Sequence, residues 1–243
     1  MSFLRKDIGH LQESKAIMQI ETFLKSLNLD QYREQYREIK IVEMDLPKDI
    51  WALNSIYEVY WIKRQLLPYE DFYILYETSL KPKLDSFCHK IRMCEQCFYT
   101  GLPARIYRTW TALLTQIHAG MVAELVFGQG NVEMSTELDQ KGIDIKVTFL
   151  GETCSIQVKK DTKRKEARQS SNKKKMSGYH FDITYKVLSN EVRLNPMKKN
   201  GEPKKDYADF QSDYYKMLDN GFVLFTDKYF KEIRESLTGL RQN

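Results

Sequence analysis

The sequence predicts an α/β chain of the α+β kind, in which a helical N-terminal region precedes a core with a mixed central sheet flanked by helices. Apolar residues recur at the 3.6-residue helical period up to about Gly128, and after Gly130 the period drops to the two-residue alternation of strands. Leu46-Pro47 and Leu67-Pro68 punctuate the helical part, because proline disfavours helix at the residue before it.

Taken in order, "ESKAIMQIETFLKSLNL" places Ile17, Ile20, Phe23, Leu24 and Leu27 on one helical face, and "WALNSIYEVYWIKRQLL" repeats that spacing. A third helix is expected from Pro103, a favourable first-turn residue, through "ARIYRTWTALLTQIHAGMVAELVFG" to Gly128. The runs "NVEMS", "IDIKVTFL", "CSIQVKK" and "GYHFDITYKV" alternate as strands, the second and third joined by a turn at Leu150-Gly151-Glu152. From Asp206 the pattern predicts helix, strand, helix over "YADFQSDYYKML", "GFVLFT" and "KYFKEIRESL". The polar stretches "RQSSNKKKMSG" and "NPMKKNGEPKKD" read as loops. The expected division is a helical region over 1–102 and a core over 103–243.

A chain of 243 residues, 42% hydrophobic and 29% charged, can bury a sizeable core as one large or two small domains. Its apolar runs fall far short of the ~18 residues of a membrane span, and the N-terminus lacks a signal-peptide core, so the expected setting is the cytoplasm, with no membrane partner. Four cysteines at uneven spacing do not make the disulfide framework of a small secreted domain. The net charge of +5 is concentrated: Lys159 to Lys175 carries a local +7, leaving −2 for the rest of the chain. Such a block is either a solvated surface or a phosphate-contacting one.

The position of that block, directly after a strand, favours the second reading. Residues two apart on a strand share a face, so Gln157 and Lys159 point the same way, and Asp144 on the paired strand can face the same side. A carboxylate and a lysine with an amide oxygen between them suit metal-assisted phosphodiester hydrolysis. Asp144 would hold Mg²⁺, Gln157 or nearby backbone would help complete its shell, and Lys159 would orient or deprotonate the attacking water or stabilise the transition state. Lys160, Lys163, Arg164, Lys165 and Arg168 would grip the flanking phosphates of double-stranded DNA.

The order Gly142, Asp144, Gln157, Lys159 resembles the PD-(D/E)xK nuclease motif in its D…QxK form, with Ile143 in place of the proline and Gln157 in place of the second acid. The resemblance implies a restriction-endonuclease-like core and an extra metal-site acid on the helix before the hairpin, a place that Glu124 in "MVAELVFG" occupies. The strings "LDQYREQYREIKIVEMDLPKDIW", "YEVYW", "ARIYRT", "ELDQKGID" and "QVKKDTKRKEAR" resemble the TaqI-type restriction endonucleases over roughly residues 20 to 168. That resemblance implies a Mg²⁺-dependent homodimer that cuts the palindrome TCGA in duplex DNA, with a cognate DNA methyltransferase acting on the same site. No string of the C-terminal third carries it.

Alternatives stay open. Asp139 could join the metal site, against its reading as a turn residue before Gly142, and Lys160 could be the catalytic lysine, although alternation favours Lys159. Cys88, His89, Cys94 and Cys97 hold enough sulfur and nitrogen for a zinc site, against a reading as reduced thiols on a helix. His118 reads as a hydrogen-bonded core histidine more readily than as a base.

Overall fold

The computed structural model describes residues 2–37, 39, 46–161, 178–208, 210 and 212–239, with side chains from residue 14 onward. The chain forms two compact units, one of residues 27–114 and one of residues 1–26 with 115–243. The boundary expected at residue 102 falls inside a helix, whereas the units part at 26/27 and 114/115.

The 27–114 unit contains α2 (Leu29–Gln35), α3 (Ala52–Ile56), which runs into a π-helical turn (Tyr57–Ile62), α4 (Tyr69–Lys90) and the first part of α5 (Glu95–Phe127). Helix expected through Leu67 stops at Ile62: Arg64 takes a positive φ of 55°, its guanidinium lies 4.0 Å from the Trp61 ring centroid, and the chain then extends into Pro68. The α5 helix starts before the expected Pro103. At the end of α4, Arg92 is left-handed and its N–H, with that of Met93, reaches back to the carbonyls of His89 and Cys88. The chain is thereby turned into a new helix at Glu95, and Pro103 sits inside it, its carbonyl taking the Tyr69 hydroxyl. The core of this unit is aromatic: Tyr60, Tyr69, Phe72, Tyr76 and Trp110 are all but fully buried.

In the other unit, α1 (Ser2–Ser26) buries Ile20 and Leu24, and the carbonyl of Leu24 accepts from Asn220 Nδ2 at 2.7 Å. The remainder of α5 leads into β1 (Val132–Glu133), α6 (Thr136–Gln140), β2 (Ile145–Phe149), β3 (Glu152–Lys160) and β4 (Tyr179–Tyr185). These strands form a mixed sheet in the order β1-β2-β3-β4, antiparallel except for the parallel β3–β4 pair. The β2–β3 hairpin closes through Leu150 at φ 54° and Gly151 at φ 84°, a two-residue loop with both residues left-handed. Gly178 enters β4 so close to β3 that a Cβ there would lie 2.3 Å from the Thr153 carbonyl oxygen.

Register divides the sheet into two faces. Val132, Ile145, Val147, Cys154, Ile156, Val158 and Ile183 are buried on one; Phe149 on the same face meets Phe127 of α5, ring centroids 5.5 Å apart. The opposite face carries Lys146, Gln157, Lys159, His180, Asp182 and Thr184. After α7 (Asn190–Leu194) and α8 (Lys205–Ala208) come β5 (Tyr215–Met217) and β6 (Val223–Phe225), an antiparallel pair, and α9 (Lys228–Gly239). Where "YADFQSDYYKML" predicted one helix, α8 is the helix among the described residues of that run. Asp213 and Tyr214 give their carbonyls to Thr226, which leads Tyr215–Met217 into β5 with Tyr215 packed on Phe225. The apolar side of α9 buries Phe230, Ile233 and Leu237, while Arg234 bonds the Val126 carbonyl and lies over Phe149.

Candidate functional site

Asp144 stands just outside β2. Its backbone N–H donates to the Ile156 carbonyl at 3.1 Å, and the bend there frees its side chain from strand alternation. The carboxylate is buried, 6% exposed, and one oxygen, Oδ2, takes the N–H of Val158 at 2.6 Å, a donor that β2 begins too late to satisfy. The other oxygen, Oδ1, takes Nε2 of Gln116 on α5 at 3.2 Å. Asp144 therefore turns toward α5 and the buried face of the sheet. Tyr185, partnered in register with Lys160 on that face, has its phenol pushed up to about 12, by burial first and then by the negative charge of Asp144. Lys160, exposed at the end of β3, follows Cys154, Ile156 and Val158 on this side.

Lys159 lies on the other face. Its ammonium pairs with Asp182 of β4, which also meets His180 Nε2 at 3.1 Å. Burial pushes the Asp182 carboxyl up, but Lys159 and then His180 outweigh it and leave it below its ordinary value. Gln157 is half-buried and in register with Asp182. The structure thus places Gln157 and Lys159 together, as alternation predicts, and engages Asp144 from the other side.

Glu124 is buried on α5, eight residues beyond Gln116, about 12 Å of helix. Asp139 sits half-buried in α6, its carboxyl pushed up by burial. Lys163, Arg164, Lys165 and Arg168 lie outside the described residues.

Gln116 and Asp182 are the residues of this region that sequence reasoning missed. Alternation does place His180, Asp182 and Thr184 on one face. Their parallel pairing with β3, across a long crossover, leaves no local signal. Gln116 lies in a buried stretch with Leu113, Leu114, Thr115, Ile117 and His118, and its place on the buried side of a long helix is the signal that could have marked it.

His118 is fully buried and accepts the Phe225 N–H on Nδ1 at 3.2 Å, so its proton sits on Nε2, 3.5 Å from Glu21. Burial, outweighing Glu21, holds it below the ordinary histidine value. Cys88 is buried with Sγ donating to the Met93 carbonyl, while Cys94 and Cys97 are exposed thiols. Among the described residues no three His, Cys, Asp or Glu side chains are gathered to hold a metal ion, and no helix is long and apolar enough to cross a membrane.

The sequence model of the family described as TaqI restriction endonuclease matches residues 17–237. The chain is 34% identical over 238 residues to the type II restriction enzyme TaqI of Thermus aquaticus, an alignment covering 91% of this chain and 88% of that enzyme. It is 31% identical over 237 residues to the type II restriction enzyme TthHB8I of Thermus thermophilus, covering 93% and 89% respectively. No solved structure matches it. With the family matched over most of its length, and with a mixed sheet of the expected kind, the chain belongs to the TaqI family of type II restriction endonucleases, site-specific deoxyribonucleases.

Proposed function

We propose that this enzyme hydrolyses both strands of duplex DNA at the palindrome TCGA with Mg²⁺, in the cytoplasm, as a homodimer whose cognate methyltransferase protects the same site. The observation that carries the catalytic reading is the buried Asp144 carboxylate, held by Val158 and Gln116 at the end of the strand that runs into the basic block. A two-fold symmetric substrate is matched most simply by two copies of one site, hence the dimer.

The residues present fit Mg²⁺. This ion takes hard oxygen ligands, commonly one or two carboxylates with the remainder from water and phosphate. Asp144 offers such a carboxylate, and the buried Gln116 Oε1 beside it meets no donor among the described residues. When bound, the ion would polarise the scissile phosphate and lower the pKa of a bound water. Asp144 would anchor it, and Glu124, farther along α5, would serve a second position. Lys163, Arg164, Lys165 and Arg168 would grip flanking phosphates.

Two lysines compete for the role beside the scissile phosphate. Alternation from Gln157 favours Lys159, whose charge is engaged by Asp182. What supports Lys160 is that Asp144 turns to the face on which Lys160 and Tyr185 lie. We therefore assign the transition-state donor to Lys160, and to Gln157 and Lys159 a supporting place on the opposite face.

Digestion of plasmid DNA tests the function. Discrete, Mg²⁺-dependent bands from cuts at TCGA are expected under multiple turnover. Smears or structure-dependent nicking would point to a repair or junction-resolving nuclease, and salt-sensitive binding without cutting to a DNA-binding module.

A further inference from the structure

We infer that Gln116 is a positioning residue of the Asp144 site, holding the carboxylate through its amide N–H and a water ligand of the bound metal through its amide oxygen. This rests on the metal-dependent reading of Asp144 above. The amide orientation follows from chemistry: a carboxylate only accepts, so the NH₂ must face Asp144 Oδ1, and the carbonyl oxygen is turned away from it. That oxygen is buried and meets no donor among the described residues. A desolvated acceptor without a donor is costly, and a second acceptor group one amide width away makes the place worse.

A cation on Asp144 removes both costs. Gln116 donates to Oδ1 of Asp144 and Val158 to Oδ2, and an ionised carboxylate has about four acceptor sites over its two oxygens. An ion bound there keeps several waters, and a metal-bound water is a strong donor, suited to Gln116 Oε1. Gln116 thus fixes where the carboxylate points and where one water sits, as outer partners of metal sites do. A leucine of similar size would keep the packing and lose both bonds. A glutamate would set a second carboxylate against Asp144, repulsive without the ion and attractive to it.

The test uses the full chain and thermal melting rather than cleavage. Stability is followed against Mg²⁺ concentration for wild type, Gln116→Leu, Gln116→Glu and Asp144→Asn, since an ion that binds the folded state raises the midpoint. Gln116→Leu should raise the half-saturating Mg²⁺ on the order of 10–100-fold, and Gln116→Glu should lower it. In EDTA, Gln116→Glu should melt below wild type at pH 8. A half-saturating Mg²⁺ equal in wild type and both Gln116 variants, but lost in Asp144→Asn, would overturn the role of Gln116 and leave the ion at Asp144. A wild type without a Mg²⁺ response, or a response that survives Asp144→Asn, would remove the metal from Asp144 and the inference with it. Should Gln116→Leu not fold, Gln116→Glu decides alone: tighter Mg²⁺ supports the inference and unchanged Mg²⁺ overturns it.

Discussion

The two compact units bury different chemistry. In the 27–114 unit the large buried side chains are aromatic, with Tyr76 giving its hydroxyl to the Ile50 carbonyl and Trp110 giving its indole N–H to Tyr60. In the other unit lie Thr115, His118, Glu124, Thr136, Asp144 and Ser155, all of the buried polar and charged residues other than tyrosine and tryptophan among those described. Burying a charged or polar group is unfavourable unless it is bonded, so such groups persist where they are satisfied or where function needs them. On the proposed reading of Asp144 the first unit packs and the second reacts, a division that substitution can break.

The largest effect belongs to Asp144. Asp144→Ala should abolish cleavage while leaving DNA binding largely intact, because it removes a metal ligand and also a negative charge near phosphate. Cleavage at a near wild-type rate in that variant would take the reaction away from this carboxylate.

Trp110→Ala should act in the opposite way. It empties a fully buried site and removes the donor to Tyr60, at a cost of about 3–5 kcal/mol in urea denaturation. At a temperature where the variant remains folded, its single-turnover rate should match wild type. A lost rate with retained stability would merge the roles that the two units keep separate.

A smaller effect is set by His118. Its folded-state value is depressed, so between that value and about 6.5 the unfolded chain holds more protons, and stability must fall as pH drops through this window. Protonation would also end the acceptance of the Phe225 N–H by Nδ1. Urea midpoints from pH 8 to 5.5 should decline below about pH 6.5, and a flat profile would mean that His118 is charged or neutral alike in both states.

Much of this division is legible in the sequence. Ile17, Ile20 and Leu24 announce α1 through their spacing, and the alternation from Ile145 to Phe149, with Leu150-Gly151, announces the hairpin, because local geometry alone sets both. The start of α5 was not legible, since Pro103 is a good first-turn residue and only the left-handed turn at Arg92 shows that the helix has already begun. From Asp213 the C-terminal run leaves the helical pattern because Thr226, beyond the run in sequence, captures the carbonyls of Asp213 and Tyr214. For the site, the types and order of Asp144, Gln157 and the strand lysines were readable. The face to which Asp144 turns was not. Alternation applies to residues inside a strand, and Asp144 lies one residue outside β2, where Val158 and Gln116 decide its direction.

On the proposed reading, the reacting side of the sheet is the one Asp144 faces. Single-turnover cleavage of a duplex carrying TCGA by Lys160→Ala and Lys159→Ala tests it most directly. Lys160→Ala should slow the chemical step by about 10²–10³-fold, as loss of a transition-state donor does, with Lys159→Ala close to wild type in rate and weaker mainly in binding. The reverse order, a large loss for Lys159→Ala and a small one for Lys160→Ala, would place the reaction on the face of Gln157 and Asp182 and contradict it.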